Sequence, residues 1–339
     1  EYTVVSRRFG LNESANFEGH WHLAVRESLK DIAADLGKSR ADLVELLDGA
    51  RRKLLAARAT RVPPARDEKQ LTSWNALAIR GLAIAGNALG RADLVDTAAG
   101  AIDFLRDNLF EDGRLLASFK DDSARFPAYL DDHAFLLDAI LETLQARWNS
   151  THLAFAKELA ELLLQHFYDA DNGGFYFTAD DHEALMHRPK PLSDDATPSG
   201  NGIAAFALQR LGFLLGESRY LDAAEKTLKS AWPALEEYPH GHVSLITALE
   251  EHQQHPEIII IRGDADDIDN WRASAAKLYA PRRLVFAIPG DETGLPGALA
   301  DRKPADGETI AYRCVGSHCS LPITSWEALA VELSESAAT

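Results

Sequence analysis

Cysteine is nearly absent from this 339-residue chain: Cys314 and Cys319 are the whole supply. Two thiols are too few for a disulfide framework, and a reducing cytoplasm fits them best. Long apolar runs are missing too. None approaches the roughly 20 residues a membrane-spanning helix needs, which speaks against a membrane partner. Positive charge is short as well: 35 Lys and Arg face 52 Asp and Glu, for a net charge of −17. Phosphate backbones want a basic surface, so the balance speaks against nucleic acid. The first residues, Glu1-Tyr2-Thr3-Val4, lack the basic and apolar pattern of a signal peptide. No G-x-G-x-x-G, Walker, G-x-S-x-G or H-E-x-x-H motif occurs, and neither a cofactor nor a metal is expected.

What is abundant is helical periodicity, from about residue 22 to residue 254. Leu23, Val25, Leu29, Ile32 and Leu36 form one amphipathic run, and Ser39 is a candidate N-cap for a second with Leu43, Leu46, Leu47 and Leu54. Pro63-Pro64 breaks the pattern. Residues 74–89 then read as a helix that is apolar almost all round, and residues 93–109 as its amphipathic partner. The same order recurs at 130–148 with 151–168, and at 199–215 with 219–235. A fourth apolar helix spans about 240–252. Helices that are apolar all round are buried on every side, and amphipathic ones lie outside them. The alternation therefore predicts two concentric helix layers, an α/α toroid. Long polar loops before every second helix favour it over an α-solenoid.

Composition changes at Pro256. Strands at 257–262, 283–288 and 309–313, with helices at 267–279 and 326–333, predict a βαβ unit plus one strand and one helix. The fold class is mainly α, with residues 1–255 as a partial α/α toroid and 256–339 as a small α/β C-terminal domain.

Polar residues gather at the starts of the inner helices. They are Asp67, Lys69, Trp74 and Asn75; Asp131, Asp132 and His133; Arg188, Lys190, Asp194, Ser199 and Asn201; and His240. If the inner helices are parallel, these starts share one rim. Their free N–H groups and positive dipole ends suit hydroxyl-rich or anionic ligands. Asp131 or Asp132 with Asp194 would form an acid/base pair, as glycoside hydrolysis requires. His133 or His240 could instead take a proton beside a carbonyl. Trp74, Asn75 and Asn201 would hold hydroxyls. Each residue also has a plainer reading. Thr72, Ser73, Asp131, Asp132 and Ser199 are N-cap types, Trp74 could be core, and Gly200 could serve close helix contact. Adjacent Asp131 and Asp132 cannot point the same way on a helix. His240-x-His242 lacks the spacing of a helical metal pair. Cys314-x4-Cys319 is not the C-x-x-C redox pattern. A disulfide, half a metal site with His318, or two independent thiols remain open, and a redox role requires Cα atoms within about 7 Å.

The motifs resemble the YyaL-like, spermatogenesis-associated thioredoxin-domain proteins. The resemblance rests on Asn16-Phe17-Glu18-Gly19, Leu71 to Asn75, Tyr129 to Asp132, Gly173 to Thr178, Arg188 to Lys190, Pro198 to Asn201, and Cys314, Cys319 and Pro322. It covers nearly the whole chain in order. It implies an (α/α)6 toroid similar to six-hairpin glycosidases and N-acylglucosamine 2-epimerases, and it adds Glu18 to the candidate binding residues. It also implies a thioredoxin-like partner domain, which this sequence does not contain. About nine helices before Pro256, against twelve in a closed ring, suggest a chain that starts partway into the toroid. Exposed inner-layer surface would then favour self-association as a homodimer. The function expected is a carbohydrate-active enzyme on a small sugar-like ligand, an isomerase, epimerase or hydrolase. The alternative is a non-catalytic binding or scaffold module that partners the thioredoxin-like domain.

Overall fold

The computed structural model describes residues 1–183, 185–305 and 307–336. The chain forms two compact units that divide between Asp67 and Glu68.

The first unit holds α1 (Tyr2–Phe9), α2 (Leu29–Leu36) and α3 (Arg40–Ala59). Val4, Val5, Ile32, Leu43 and Leu47 share its small core. The helix expected from residue 22 begins only at Leu29, where the Ser28 side chain accepts from the Asp31 N–H. Leu23 and Val25 are exposed instead. Ser39 does cap α3 and closes a capping box with Asp42. The periodicity missed α1, so ten α-helices rather than nine precede Pro256 among the described residues.

The second unit is built on helix hairpins. A short β1 (Gln70–Leu71) leads into α4 (Thr72–Leu89), which pairs with α5 (Ala92–Leu109). A hairpin insertion follows, of β2 (Phe110–Glu111), β3 (Arg114–Lys120) and β4 (Ser123–Pro127). Next come α6 (Leu130–Ala146) with α7 (Ser150–Leu162), then α8 (Gly200–Leu215) with α9 (Ser218–Glu237), then α10 (Val243–Gln253). A π-turn, Leu163–Phe167, extends α7. After it, Phe175 makes an isolated bridge to Tyr168.

Helices α4, α6, α8 and α10 pack side by side as an inner layer, and α5, α7 and α9 lie outside them. Burial follows the sequence pattern for α6 and α8 but not for α4, which was expected to be buried all round and buries one face through Thr72, Ala76, Ile79, Ala83 and Gly86. α6 and α8 are buried nearly all round, whereas α9 buries one face through Tyr220, Ala224, Leu228, Ala231 and Leu235. Side-chain contacts show that the inner helices are parallel. The Asp132 carboxylate receives the Ser73 N–H, and seven residues further into α4 Arg80 meets Asp138. Between α6 and α8, Asp131 lies against Gly200 at one end and Glu142 meets Arg210 at the other. Between α8 and α10, Gly202 touches Ser244 and Arg210 meets Glu251. All four N-termini therefore lie at one rim. Trp74 and Ile84 on α4, and Val243 and Ile246 on α10, stay exposed at the two ends of this arc.

The C-terminal segment forms β5 (Glu257–Gly263), α11 (Ala265–Ala275), β6 (Arg283–Pro289), β7 (Ile310–Val315), β8 (His318–Cys319) and α12 (Trp326–Ser336). The sheet order is β6-β5-β7-β8. β5 and β6 are parallel, as a βαβ unit requires, and β7 runs antiparallel to β5. Ile258 and Ile260 join the helix core, while Ile259 and Ile261 pack under α11 and α12. Cover on both faces explains why β5 is an unbroken apolar run.

Glycine at position 202 lets α8 and α10 approach closely. A Cβ there would sit 2.1 Å from Ser244 Oγ and 2.9 Å from Leu245 N. Gly202→Ala is expected to destabilise the second unit by about 1–3 kcal/mol in urea unfolding. An unchanged midpoint would contradict this packing.

Candidate active site

A cavity of about 440 Å³ opens inside the inner layer. Its walls are one stripe from each helix: Leu77 and Arg80 from α4, Phe135 and Asp138 from α6, Ile203 and Phe206 from α8, and Val243, Ser244 and Thr247 from α10. Asp194, Asp195, Ala196, Thr197 and Pro198 close it from the loop before α8. Apolar and aromatic surface thus alternates with carboxylates, hydroxyls and one guanidinium.

The floor is a charge network that the sequence reading missed. Arg80 Nε lies 2.6 Å from Asp138 Oδ2, and Arg80 also approaches Glu142 at 3.8 Å. Arg210 bonds Glu142 at 2.8 Å and grips Glu251 through Nε and Nη2, with a shortest contact of 2.6 Å. Its guanidinium also covers the Phe206 ring at 3.9 Å. Two guanidiniums therefore face three carboxylates. Burial pushes the Glu142 carboxyl up against the pull of Arg210, so it is the natural place for the balancing proton. Burial opposes the Arg210 charge, but Glu251 and Glu142 hold it above its usual value. Asp138 is 1% exposed, and its Oδ1 finds no hydrogen-bond partner among the described residues.

At the rim, most of the expected site residues spend their polar atoms on the fold. Asp132 is buried and accepts from Ser73 N at 2.8 Å and from Tyr129 N at 2.9 Å. Burial pushes its carboxyl up to about 6, against the pull of those two N–H groups. Burial also acts on Asp194, but the Ser244 hydroxyl and the Ser199 and Ser244 N–H groups outweigh it and hold the carboxyl below its usual range. Asp194 thus ties the starts of α8 and α10 together. Ser199 caps α8 through Gly202 N. Asn201 is fully buried and binds both the N–H and the carbonyl of Phe175, and the Pro191 carbonyl. Lys190 pairs with Asp169 at 2.7 Å. Arg188 donates to the carbonyls of Thr178 and His166 and covers Tyr176. Asn75 donates to the Leu71 carbonyl.

Neither candidate histidine belongs to the cavity lining. His133 is 1% exposed, with Nδ1 at 2.9 Å from the Tyr129 carbonyl and its ring against Phe167. It lies two residues from Asp131, hence on the opposite face of α6 from the cavity. Burial lowers its pKa to about 4. His240 is exposed on a 3-10 turn beside Tyr238 and outside the cavity lining. Trp74 is 65% exposed and is neither core nor cavity wall. Lys69 lies ahead of β1, also outside the lining, and Glu18 and Asp67 belong to the first unit.

Asp131 differs from all of these. It shares the face of Phe135 and Asp138, one turn nearer the rim. It makes no hydrogen bond or ion pair among the described residues, although its Oδ1 packs where a Gly200 side chain would be. Burial, and then the neighbouring Asp132, pushes its carboxyl up to about 6. A second cluster, His166, Asp180 and Asp181, brings donor atoms within 4.8 Å of one another. Arg114 holds Asp181 through both terminal nitrogens, and His166 Nδ1 lies 2.7 Å from Asp180, so these donor atoms are already engaged within the protein.

The family resemblance holds. The chain is similar to spermatogenesis-associated protein 20: it is 28% identical to the human protein over 95% of its own length and 44% of that protein. It is 25% identical to an uncharacterized protein of Caenorhabditis elegans, over 97% of this chain and 48% of that one. The chain thus spans less than half the length of these curated relatives. No family model matches it. Among solved structures, it is similar to a GH76 α-mannanase of Bacteroides thetaiotaomicron, with a TM-score of 0.44, 14% identity, and coverage of 65% of this chain and 58% of that one. It is also similar to a cellobiose 2-epimerase of Bacillus thermoamylovorans, with a TM-score of 0.41, 13% identity, and coverage of 48% and 44%. No described helix is long and apolar enough to cross a membrane.

Two stability measurements test this geometry. Arg210→Ala leaves Glu251 buried without its cation and is expected to cost about 3–5 kcal/mol in denaturant unfolding. For Asp131 the folded pKa lies above the unfolded one, so the folded state binds the extra proton. The carboxyl costs little below about pH 4, and its penalty grows as pH rises to about 6. Asp131→Asn should melt like the parent at about pH 4 and be about 1 kcal/mol more stable at about pH 7, after discounting for solvent at a half-buried group. A loss of stability at both values would contradict the assignment.

Proposed function

We propose that the cavity binds a neutral sugar or sugar-like polyol, and that Asp131 transfers a proton there as the acid/base group of a carbohydrate-active enzyme. The observation that carries the reading is a cavity walled by four parallel helices toward their N-terminal ends, with the Asp195 carboxyl in its lining and the Asp131 carboxyl, unpaired among the described residues, one turn nearer the rim than Phe135 on the same face of α6. Phe135 and Phe206 offer apolar faces for ring C–H groups, and Ser244, Thr247, Asp195 and Arg80 offer hydrogen bonds to hydroxyls. A carboxyl with a pKa near 6 exchanges protons efficiently close to neutral pH. Asp132 and Asp194 already fill helix N-terminal positions that would otherwise attract anions, and the walls carry more carboxylates than guanidiniums. The cavity therefore favours neutral ligands over sugar phosphates.

A non-catalytic binding module is the second reading. The Arg80–Asp138 pair and the fully engaged Asp132 and Asp194 favour it, because they leave Asp131 and Asp195 as the carboxyls here without a side-chain partner among the described residues.

The test is a thermal-shift screen of neutral mono- and disaccharides against sugar phosphates, followed by chromatography of any sugar that stabilises the protein. Neutral sugars should raise the melting temperature and phosphates should not. Asp131→Asn should keep the shift and lower turnover by about 100-fold or more. Binding without turnover in the parent protein would select the binding module. No shift with any sugar would defeat both readings.

A further inference from the structure

We propose that Cys319 and Cys314 are the nucleophilic and resolving thiols of a dithiol–disulfide exchange site on the C-terminal sheet, separate from the helical cavity. β7 and β8 form a tight hairpin whose two-residue loop begins with Gly316 at a φ of 58°. Within it the two cysteines are directly opposed, with Cα atoms 4.0 Å apart, and are joined as a disulfide.

Three features set this pair apart from a structural staple. A link between residues five apart, inside a hairpin already closed by strand pairing, removes little chain entropy. The two sulfurs also have unequal surroundings: Cys314 is 6% exposed and part of the core, whereas Cys319 is exposed on a two-residue edge strand. Finally, Arg302 Nη2 lies 2.9 Å from Cys319 Sγ, with its guanidinium over the Tyr312 ring. A cation at that distance favours the thiolate, which is the reactive form. Opening the pair frees only the edge of the sheet, since β5 and β6 pair without β8.

The exchange balances. In the dithiol form the Cys319 thiolate attacks one sulfur of a substrate disulfide. A Cys319–substrate S–S bond forms, the substrate bond breaks, and the other substrate sulfur leaves as a thiolate that takes a proton from water. Cys314, its proton lost to solvent, then attacks Cys319 Sγ, releases the second substrate thiolate and restores the Cys314–Cys319 bond. The substrate gains two electrons and the pair loses two. An external dithiol restores the reduced pair by the reverse steps.

The full-length chain is titrated with dithiothreitol, the thiols are alkylated with iodoacetamide and mapped by mass spectrometry, and folding is followed by circular dichroism. The pair should open reversibly with the fold intact, and Cys319 should alkylate about tenfold faster than Cys314. Arg302→Ala should remove that advantage and Arg302→Lys should restore much of it, which a purely structural arginine would not do. Cys314→Ser treated with oxidised glutathione should accumulate a mixed disulfide at Cys319, and Cys319→Ser should not do so at Cys314. This trapping tests the proposal even if the Arg302 variants fold poorly. A disulfide that opens only when the protein unfolds would overturn it, as would equal reactivity of the two thiols with no mixed disulfide.

Discussion

Parallel alignment of the inner helices is the constraint on which the second unit rests, and two carboxylates enforce it. Asp132 caps its own helix at Tyr129 N and reaches across to Ser73 N on α4. Asp194 takes Ser199 N at the start of α8 and both Ser244 N and Ser244 Oγ on α10. A helix start leaves several N–H groups without intrahelical partners, and its dipole presents positive charge. Two such starts side by side repel each other and both need acceptors. One buried carboxylate between them answers both needs. It also sets the depth of every residue further along each helix, because the four helices then count turns from the same plane.

That common depth explains the charge network. Arg80, Asp138 and Arg210 lie about two to three turns from their helix starts, and Glu251 at a similar depth on α10. Charges buried at unequal depths would be unpaired, at a cost of several kcal/mol each. At equal depth they meet. The network still contains one carboxylate more than its guanidiniums can balance, and the Glu142 carboxyl is pushed up by its burial, against the pull of Arg210 and with a further push from Asp138. The charges at the cavity floor are paired within the fold save one carboxylate, whereas the rim carries groups that water can reach.

Much of the fold was legible because the alternation of all-round apolar and one-face apolar helices is a direct record of two layers. Helix bounds at 93–109 and 219–235 agree with α5 and α9 within two residues. Elements without that record escaped notice. β4 runs largely exposed, so it has no alternation to read. The rim was legible as a place but not as a set of roles. Asp, Asn and Ser accept from backbone N–H groups as readily as they bind ligands, so Asp194 and Asn201 looked like site residues while serving as staples. Arg80, Asp138, Arg210 and Glu251 did leave a signal, single charges inside otherwise apolar helices. Their pairing could not be read, because partners lie 41 to 68 residues apart.

The case for Asp131 follows from what the rest of the rim does with its carboxyl groups. Asp132 and Asp194 show that this fold can neutralise a half-buried or buried carboxylate with two or three N–H or hydroxyl donors. Asp131, one residue from Asp132, receives none, and it is further burdened by that neighbour's charge. Its neighbour across the helix interface is Gly200, which has no side chain to donate anything and whose lack of a Cβ leaves room for the carboxyl. A group kept desolvated and unpaired costs stability. Residues whose protonation is strained in this way are where proton-transfer chemistry is ordinarily found, and Asp131 shares the helix face of the cavity residues Phe135 and Asp138. A purely structural rim would gain stability from an asparagine or leucine at this position, and the carboxyl is there instead.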